Sequence, residues 1–305
     1  MKNEDLLKQM AAITKAGNNV TLRDDNARAF VMDMTGSQAT LAKLFVHFAK
    51  SGTGTIDKLG VKRRNLKLHQ GTNTTPAGTD IKTEKSVKFT LTDLYLDTWI
   101  ENSNTFYTAR TRGQDVRQAL LSLMQSQFGA DLQDLAFNGD EDSDDPFLKL
   151  NNGFIKQAKT DAAVKVEGNA LPTIQELTTK VVGKIESKYL NSTFKWHMSN
   201  ATAAHYVAEI QNRETVLGDS AIVNGTLTNI AGYGVEIVDS MDNDVLLFTP
   251  YENLANVLGL DVTLTTAVQD STSVAKQATY HFMLSAVDFI IRENNMIGYV
   301  GLVTP

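Results

Sequence analysis

The stretch FGADLQDLAFNGD, residues 128–140, is the most informative part of this 305-residue sequence. It closes a segment in which apolar residues recur at steps of three and four from about Gly113 onwards. This spacing predicts a helix over residues 113–137, about 37 Å long at ~1.5 Å per residue. Asn138-Gly139 predicts a left-handed stop. A helix of this length can act as a spine against which a sheet packs.

A run of carboxylates follows the predicted spine helix, at Asp140, Glu141, Asp142, Asp144 and Asp145. The alternation of Asp140, Asp142 and Asp144 is typical of calcium loops. The rest of the loop pattern is missing, because its sixth position is Asp145 where glycine is required and its twelfth is Asn151 where glutamate is required. We interpret the run as a solvated loop after a helix.

Residues 55–92, which precede the spine helix, are rich in Thr, Gly and Lys and contain alternating apolar residues. Two strands joined by the polar, turn-forming segment 69–78 are predicted, and together they form a long projecting β-hairpin. Its basic residues are Lys58, Lys62, Arg63, Arg64, Lys67, Lys82, Lys85 and Lys88, against the acids Asp57, Asp80 and Glu84. Either a solvated edge that resists aggregation or a docking surface for an acidic neighbour explains this excess.

The remaining sequence predicts a mixture of helices and short strands. Residues 1–50 are expected to be polar and mostly helical, with patches at 6–13 and 39–50. Thr173 and Glu176 form a capping-box pattern, and Ser199 can cap a further helix. Strands are predicted at 194–198, 235–238, 245–248, 280–284, 289–293 and 299–303. The fold class that this order supports is α+β.

Composition excludes several classes of protein. The chain has no cysteine, so disulfides, thiolate metal sites and cysteine nucleophiles are absent. The net charge of -6 argues against a broad basic field for nucleic acid. Neither a signal peptide nor an apolar span is found, so we expect synthesis in the cytoplasm and no membrane association.

No catalytic or cofactor motif is convincing. The histidines are scattered, and His197 lies in an apolar strand where a satisfied core residue is the usual outcome. Ser273-Val274-Ala275-Lys276 matches a Ser-x-x-Lys nucleophile pattern, but its companion motifs are absent. No phosphate-binding glycine loop is present. We therefore predict no cofactor, no metal and no enzymatic activity, although a carboxylate-based site cannot be recognised without three-dimensional proximity.

The order of these elements resembles the Hong Kong 97-like major capsid proteins of tailed bacteriophages. The resemblance rests on residues 128–140 leading to Asn152-Gly153-Phe154, and on the segments LYLDTWI at 94–100, WHMSN at 196–200 and IAGYGV at 230–235. It implies an N-terminal arm at 1–54, an extended loop at 55–92 and a peripheral domain at 93–170 with the spine helix. It further implies an axial domain at 171–285, with residues 286–305 returning to the peripheral domain.

This resemblance also implies a function. Such a chain assembles into pentamers and hexamers of an icosahedral shell around double-stranded DNA, which it does not bind sequence-specifically. A scaffolding protein, a portal and a decoration protein are the further partners, and the virion, assembled in the host cytoplasm, is the expected location. The crosslinking residues of the family are not found, so we predict a noncovalent shell. The alternatives are an encapsulin-type compartment and an α+β enzyme.

The candidate contact residues belong to two sets of opposite charge. We expect the basic hairpin to meet an acidic surface of a neighbouring copy. The residues on the basic side are Lys58, Lys62, Arg63, Arg64, Lys67, Lys82 and Lys85, and those on the acidic side are Asp140, Glu141 and Asp142. Asp93 and Asp97 are further acidic candidates.

Overall fold

The computed structural model describes residues 20–22, 24–61, 82–101, 116–212, 227–267 and 271–303. Its α-helices are α1 (Asp24–Gly36), α2 (Val116–Asn138), α3 (Phe154–Asp161), α4 (Ile174–Glu176), α5 (Asn200–Gln211) and α6 (Ser271–Lys276). A π-helical turn, Leu177–Val181, continues α4 and is followed by a 3-10 turn, Val182–Lys184. Other 3-10 turns are Leu41–Lys43, Leu148–Leu150, Tyr251–Asn253 and Asn294–Met296.

Most strands belong to two sheets. Their bounds are β1 (Val20–Leu22), β2 (Phe45–Ala49), β3 (Thr53–Val61), β4 (Lys82–Thr90), β5 (Thr92–Glu101), β6 (Val164–Gly168), β7 (Phe194–Met198), β8 (Asn229–Ile230), β9 (Tyr233–Ile237), β10 (Leu246–Pro250), β11 (Leu254–Ala267), β12 (Ala278–Ile291) and β13 (Gly298–Leu302). The first sheet, called the long sheet below, has the order β1-β11-β12-β5, with β2 also paired to β11. The second has the order β6-β13-β10-β7-β9-β8.

The spine helix α2 packs on one face of the long sheet, which we call the inner face. Leu132 and Leu135 of the helix share a buried core with Leu254 and Leu258 of β11. Helix α1 packs on the spine helix and on the same core, and Gln125 Nε2 of the spine helix donates a hydrogen bond of 2.9 Å to the carbonyl of Phe30. The predicted spine helix is confirmed over the described residues, and residues 113–115 of the prediction lie outside them.

The second sheet has its own core, built largely from aromatic side chains. Phe194, Trp196 and Phe248 are fully buried, and the Trp196 and Phe248 rings are 4.4 Å apart. Tyr206 of α5 is also fully buried, and its hydroxyl donates to the carbonyl of Pro172 over 3.0 Å. Strand 194–198 was predicted with these bounds.

Helix boundaries in this half follow the predicted caps. Thr173 and Glu176 form the reciprocal capping box, and the Ser199 side chain accepts a hydrogen bond from the Thr202 amide at the start of α5. Both cap predictions are confirmed. They succeed because capping depends on residues within one turn of the helix start.

Two local predictions are wrong. Residues 39–50 were expected to be helical, but they form a 3-10 turn and strand β2, which pairs in parallel with β11 far along the chain. The left-handed stop at Gly139 is also absent, since Gly232 is the one described glycine with a positive φ, 83°. The helical patch predicted at 6–13 lies outside the described residues.

Strand pairing divides the chain differently from the predicted domain boundaries. Strand β11 and most of β12 fall within the predicted axial segment 171–285, yet both belong to the long sheet together with β2 and β5. Strand β13, which falls within the predicted return segment 286–305, pairs with β10 and β6 in the second sheet. The division by sequence therefore does not coincide with the division by hydrogen bonding.

Strands β3 and β4 form the predicted hairpin as a separate two-stranded sheet. Their register runs from Thr53 opposite Thr90 to Val61 opposite Lys82, and residues 62–81 lie outside the described part. Among the described residues, no helix combines the length and apolar character needed to cross a bilayer.

Candidate subunit-contact surfaces

The end of the spine helix is fixed by two glycines that lie against each other. The Gly153 amide donates to the Gly139 carbonyl over 2.8 Å, and the Gly139 amide donates to Leu135 over 3.0 Å. A Cβ at Gly153 would lie 2.7 Å from the Gly139 nitrogen and 2.8 Å from the carbonyl oxygens of Leu135 and Phe137. Gly139 and Gly153 therefore permit a close backbone approach that a Cβ at either position would block.

Three aromatic rings join this helix end to the long sheet. Phe137, Phe154 and Phe289 are buried, with ring centroids 5.5 Å apart in the first pair and 5.9 Å in the second. Both pairs meet edge to face, a favourable aromatic geometry. The helix end, α3 and β12 thus share one aromatic cluster.

A lysine of α3 pairs with two carboxylates of the acidic loop that follows the spine helix. Lys156 Nζ lies 2.8 Å from Asp140 Oδ1 and 2.8 Å from Asp142 Oδ2. The hydrogen bond from Lys156 lowers the pKa of Asp142 below its ordinary value. Glu141, Asp144 and Asp145 are exposed. No group of three or more metal-ligating side chains in the described ranges is arranged around a common point.

The base of the hairpin is anchored on the outer face of the long sheet, opposite the spine helix. Ile56 and Phe89 are buried there against Ala255, Val257 and Ile290. The Leu91 amide also donates to the Gly52 carbonyl over 2.7 Å. The direction in which the hairpin leaves the sheet is therefore set by its packed base.

A buried carboxylate strengthens this anchor. Asp288 accepts hydrogen bonds of 2.8 Å from the amides of Thr90 and Phe289, and Asn151 donates to it over 3.3 Å. Burial raises the pKa of Asp288 despite these bonds. One side chain thus connects the hairpin base, β12 and Asn151, which follows the Leu148–Leu150 turn.

The predicted basic residues are only partly described. Lys58 lies directly opposite Lys85 in the hairpin register, and Lys82 lies opposite Val61. Lys88 is exposed. The other predicted basic residues, Lys62, Arg63, Arg64 and Lys67, lie outside the described residues. Of the two predicted sets, the acidic one is therefore the better described, and two of its three members share Lys156.

An exposed aromatic face on β5 was not recognised in the sequence. Tyr95 and Trp99 are 63% and 37% exposed. Along the strand, the exposed positions alternate with Leu94 and Leu96, whose side chains face the core. The alternation in DLYLDTW was visible, but the position of β5 at the end of the long sheet was not. Asp93 and Asp97 lie on the same exposed side of the strand.

A cluster of charges and rings joins the two halves of the molecule. Glu236 on β9 pairs with Lys43 from the N-terminal segment at 2.9 Å and with Lys195 on β7. Burial alone would raise the pKa of Glu236, but hydrogen bonds from Lys195 and Lys43 outweigh it and lower the pKa to about 2. Both lysines also lie over the ring of Tyr251, at 5.4 and 5.7 Å.

The residues once considered for catalysis have structural roles. His197 is fully buried, its Nε2 lies 3.0 Å from the Thr249 carbonyl, and burial lowers its pKa to about 4. Ser273 Oγ donates to the Ala267 carbonyl over 3.2 Å, while Lys276 lies over the Trp99 ring. Ser273 and Lys276 therefore do not form a nucleophile and base pair.

A polar cavity of about 310 Å³ lies beside the end of the spine helix. Its lining includes Asn138, Lys156, Asp242 and Tyr299. Asn138 Oδ1 accepts a hydrogen bond of 3.0 Å from the Asp242 amide, which ties the helix end to the 238–244 turn. The lining residues carry charges of both signs, and their arrangement does not point to a particular reaction.

No protein-family model matches the sequence, and no curated protein matches it significantly. Solved structures match it along most of its length. A chain of the satellite phage P4 procapsid, in a structure that includes the size determination protein Sid, is 15% identical with a TM-score of 0.72, and the match covers 100% of this chain and 99% of that chain.

Two further structures are similar over a smaller share of the chain. A chain of the capsid of an empty GTA particle is 12% identical, with a TM-score of 0.59 and coverage of 88% of this chain and 90% of that one. A Mycobacterium phage Bobi chain is 11% identical, with a TM-score of 0.57 and coverage of 88% and 91%. At these low sequence identities, the similarity to the three structures shows a shared fold.

Proposed function

Because the chain has the α+β, Hong Kong 97-like fold of tailed-phage major capsid proteins, we propose that it is a major capsid protein. It assembles into pentamers and hexamers that close an icosahedral shell around phage double-stranded DNA. The observation that carries this proposal is the end-to-end match with the P4 procapsid chain, which leaves almost no part of either chain unmatched. A chain of a phage procapsid and this chain are therefore similar in fold along their whole length.

The function of such a chain is assembly, and it is not an enzyme. Several polar groups that could serve catalysis are engaged in packing, such as His197 against Tyr251 with ring centroids 4.6 Å apart. Many weak contacts repeated on a symmetric lattice add up to a stable particle, so individual contacts can remain modest. We assign no cofactor and no metal.

The proposed architecture of the shell follows the two sheets. The long sheet and spine helix form the peripheral part of the subunit, and the second sheet forms the axial part near the centre of a capsomer. The hairpin is the extended loop that lies over a neighbouring subunit. This assignment moves β11 and β12 to the peripheral part and β13 to the axial part.

The other partners follow from the same proposal. Assembly takes place in the host cytoplasm with a scaffolding protein, a portal occupies one vertex, and a decoration protein can cover the outside. With a net charge of -6, the chain encloses DNA without sequence-specific binding. The virion is its final location.

Charge reversal of the hairpin tests whether this arm makes the contacts between subunits. The variant Lys62→Glu, Arg63→Glu, Arg64→Glu should fail to form shells in electron micrographs, since the reversed charges would repel an acidic neighbour. Its circular dichroism spectrum should match that of the parent, because the change leaves the described cores untouched.

A matched control reverses three charges in another part of the chain. Lys180→Glu, Lys184→Glu, Lys188→Glu makes the same change in net charge within residues 180–188, where the side chains of Lys180 and Lys188 are 53% and 40% exposed. Shells from the control and none from the hairpin variant would support the proposal. Normal shells from the hairpin variant would refute the role of the basic arm.

The content of purified particles separates this function from that of an encapsulin-type compartment. Both shells can have this fold, so particle shape does not distinguish them. Packaged double-stranded DNA supports the phage capsid, and an enclosed enzyme without DNA supports the compartment.

A further inference from the structure

The outer side of β5 carries acidic and aromatic side chains in alternation. Asp93, Tyr95, Asp97 and Trp99 are all exposed, whereas Leu94 is buried and Leu96 packs on the core under the spine helix. A period of two is expected for a strand with one face on a core. Large aromatic side chains at the exposed positions are unusual, since solvent-facing strand residues are normally polar.

These side chains continue into an ordered aromatic surface on β12. The rings of Tyr95 and Phe282 stack with centroids 5.4 Å apart and an interplanar angle of 22°, and those of Trp99 and Tyr280 are 4.9 Å apart. The Tyr280 hydroxyl donates to Asp97 over 3.1 Å. We call these residues, with Asp93, the acidic–aromatic face. Because its rings are already held by one another, binding there costs little side-chain entropy.

In the part of the chain that the structure describes, Tyr95 and Trp99 of the acidic–aromatic face are 63% and 37% exposed. The hairpin base packs on the same outer side of the long sheet, but its buried contacts are with Ala255, Val257 and Ile290, at the other end of β11 and β12. No described strand pairs with the free edge of β5, which ends the sheet. An exposed aromatic surface at a free sheet edge is a typical docking surface.

The chemistry of this face suits a lysine-rich partner. Lys276 already lies with its Nζ 4.2 Å from the centre of the Trp99 ring, a cation–π contact. Asp93 and Asp97 lie on the same exposed side of β5 as Trp99, so they would attract further ammonium groups. A second acidic copy of the same face would be repelled.

The hairpin of this chain has the complementary charge. It contains eight basic and three acidic residues between positions 55 and 92. An acidic surface supplied by another copy would attract this excess of positive charge.

We propose that the acidic–aromatic face on β5 and β12 binds the basic hairpin of a second copy of this chain. The proposal rests on the assembly function above and names the surface on which the hairpin docks. It selects this face over the acidic loop, because Lys156 already neutralises part of the charge of Asp140 and Asp142 and no aromatic ladder accompanies them. Cation–π contacts and ion pairs would act together at this face.

The absence of cysteine allows a direct test. One batch of chain carries Tyr95→Cys, another carries Lys85→Cys, and the two are mixed, assembled and treated with a short bis-maleimide. Because each chain has one thiol, a Tyr95→Cys to Lys85→Cys crosslink must join two copies. We expect this crosslinked dimer when assembled shells are treated. We expect no crosslinked dimer when unassembled chains are treated.

The matched control replaces the first variant by Asp142→Cys. If Asp142→Cys crosslinks with Lys85→Cys in intact shells and Tyr95→Cys does not, the acidic loop is the docking surface and the inference is overturned, while the assembly function stands. Shells in which neither variant crosslinks with Lys85→Cys also overturn it. If the parent chain forms no shells under any condition, both the inference and the proposed function fail.

A measurement on the parent chain covers the case in which Tyr95→Cys impairs folding. Hydroxyl-radical oxidation of Tyr95 and Trp99, read by mass spectrometry, should fall several-fold on assembly. Unchanged oxidation of both residues in complete shells would overturn the inference. This readout needs no substitution at the face.

Discussion

Replacing Gly153 by alanine should be among the most damaging small changes in this chain. The added Cβ would lie 2.7–2.8 Å from three backbone atoms, belonging to Gly139, Leu135 and Phe137. Backbone atoms of a buried helix end cannot move aside as a flexible side chain can. Overpacking costs about 1–3 kcal/mol, and three simultaneous backbone contacts place this site at the upper end, about 3 kcal/mol. Alanine returns only about 0.4–1 kcal/mol through the unfolded state.

The assay is urea unfolding of the unassembled chain, followed by far-ultraviolet circular dichroism. Gly153→Ala should lower the free energy of unfolding by about 2–3 kcal/mol. Gly52→Ala is the matched control, since a Cβ there meets nothing within 4 Å and the glycine has no positive φ. Equal stability of Gly153→Ala and Gly52→Ala would refute the account of the two glycines.

Three other changes have clear expected results. Burial lowers the pKa of His197 in the folded chain to about 4, from 6.5 in the unfolded chain. In urea titrations, the free energy of unfolding should therefore fall by up to ~1.4 kcal/mol per pH unit as the pH drops from 6.5 to 4. His197→Gln should reduce this dependence on pH. The lowered pKa of Glu236 means that its contribution is present above pH 4.5 and lost towards pH 2; Glu236→Gln should cost about 1–3 kcal/mol at pH 7 in the same assay, and an unchanged midpoint would contradict the role of its lysine pairs. Asp288→Asn keeps one carbonyl acceptor and loses the other, so hydrogen exchange of the Thr90 amide should accelerate; exchange at the parent rate would show that the carboxylate does not anchor the hairpin.

The features that sequence analysis predicted correctly are those decided locally. The spine helix follows from an apolar repeat, and the starts of the helices at Thr173 and Ser199 follow from caps within one turn. Strand β7 follows from a short apolar run, which leads directly into the Ser199 cap. In each case the residues that determine the structure are close neighbours in the chain.

The features that were missed depend on distant partners. Strand β2 was interpreted as helical because its apolar residues allow either period, and only its parallel pairing with β11 decides the outcome. Strand β11 itself was not predicted, and β12 was predicted as two short strands where the structure has one of 14 residues. Sheet membership of β13 likewise depends on its pairing with β10 and β6.

The candidate contact surface shows the same limit. Charge counting alone identified the basic hairpin and the acidic loop, since both are contiguous in sequence. It could not show that Lys156 from α3 pairs with Asp140 and Asp142. Nor could it show that rings from β5 and β12 meet, because that requires the antiparallel register that places Tyr280 opposite Trp99.

Electron microscopy of the purified chain, expressed alone and then with its neighbouring genes, tests the central claim most directly. The account predicts closed polyhedral shells, or rings of five and six subunits. Compact monomers under every condition tried would contradict it.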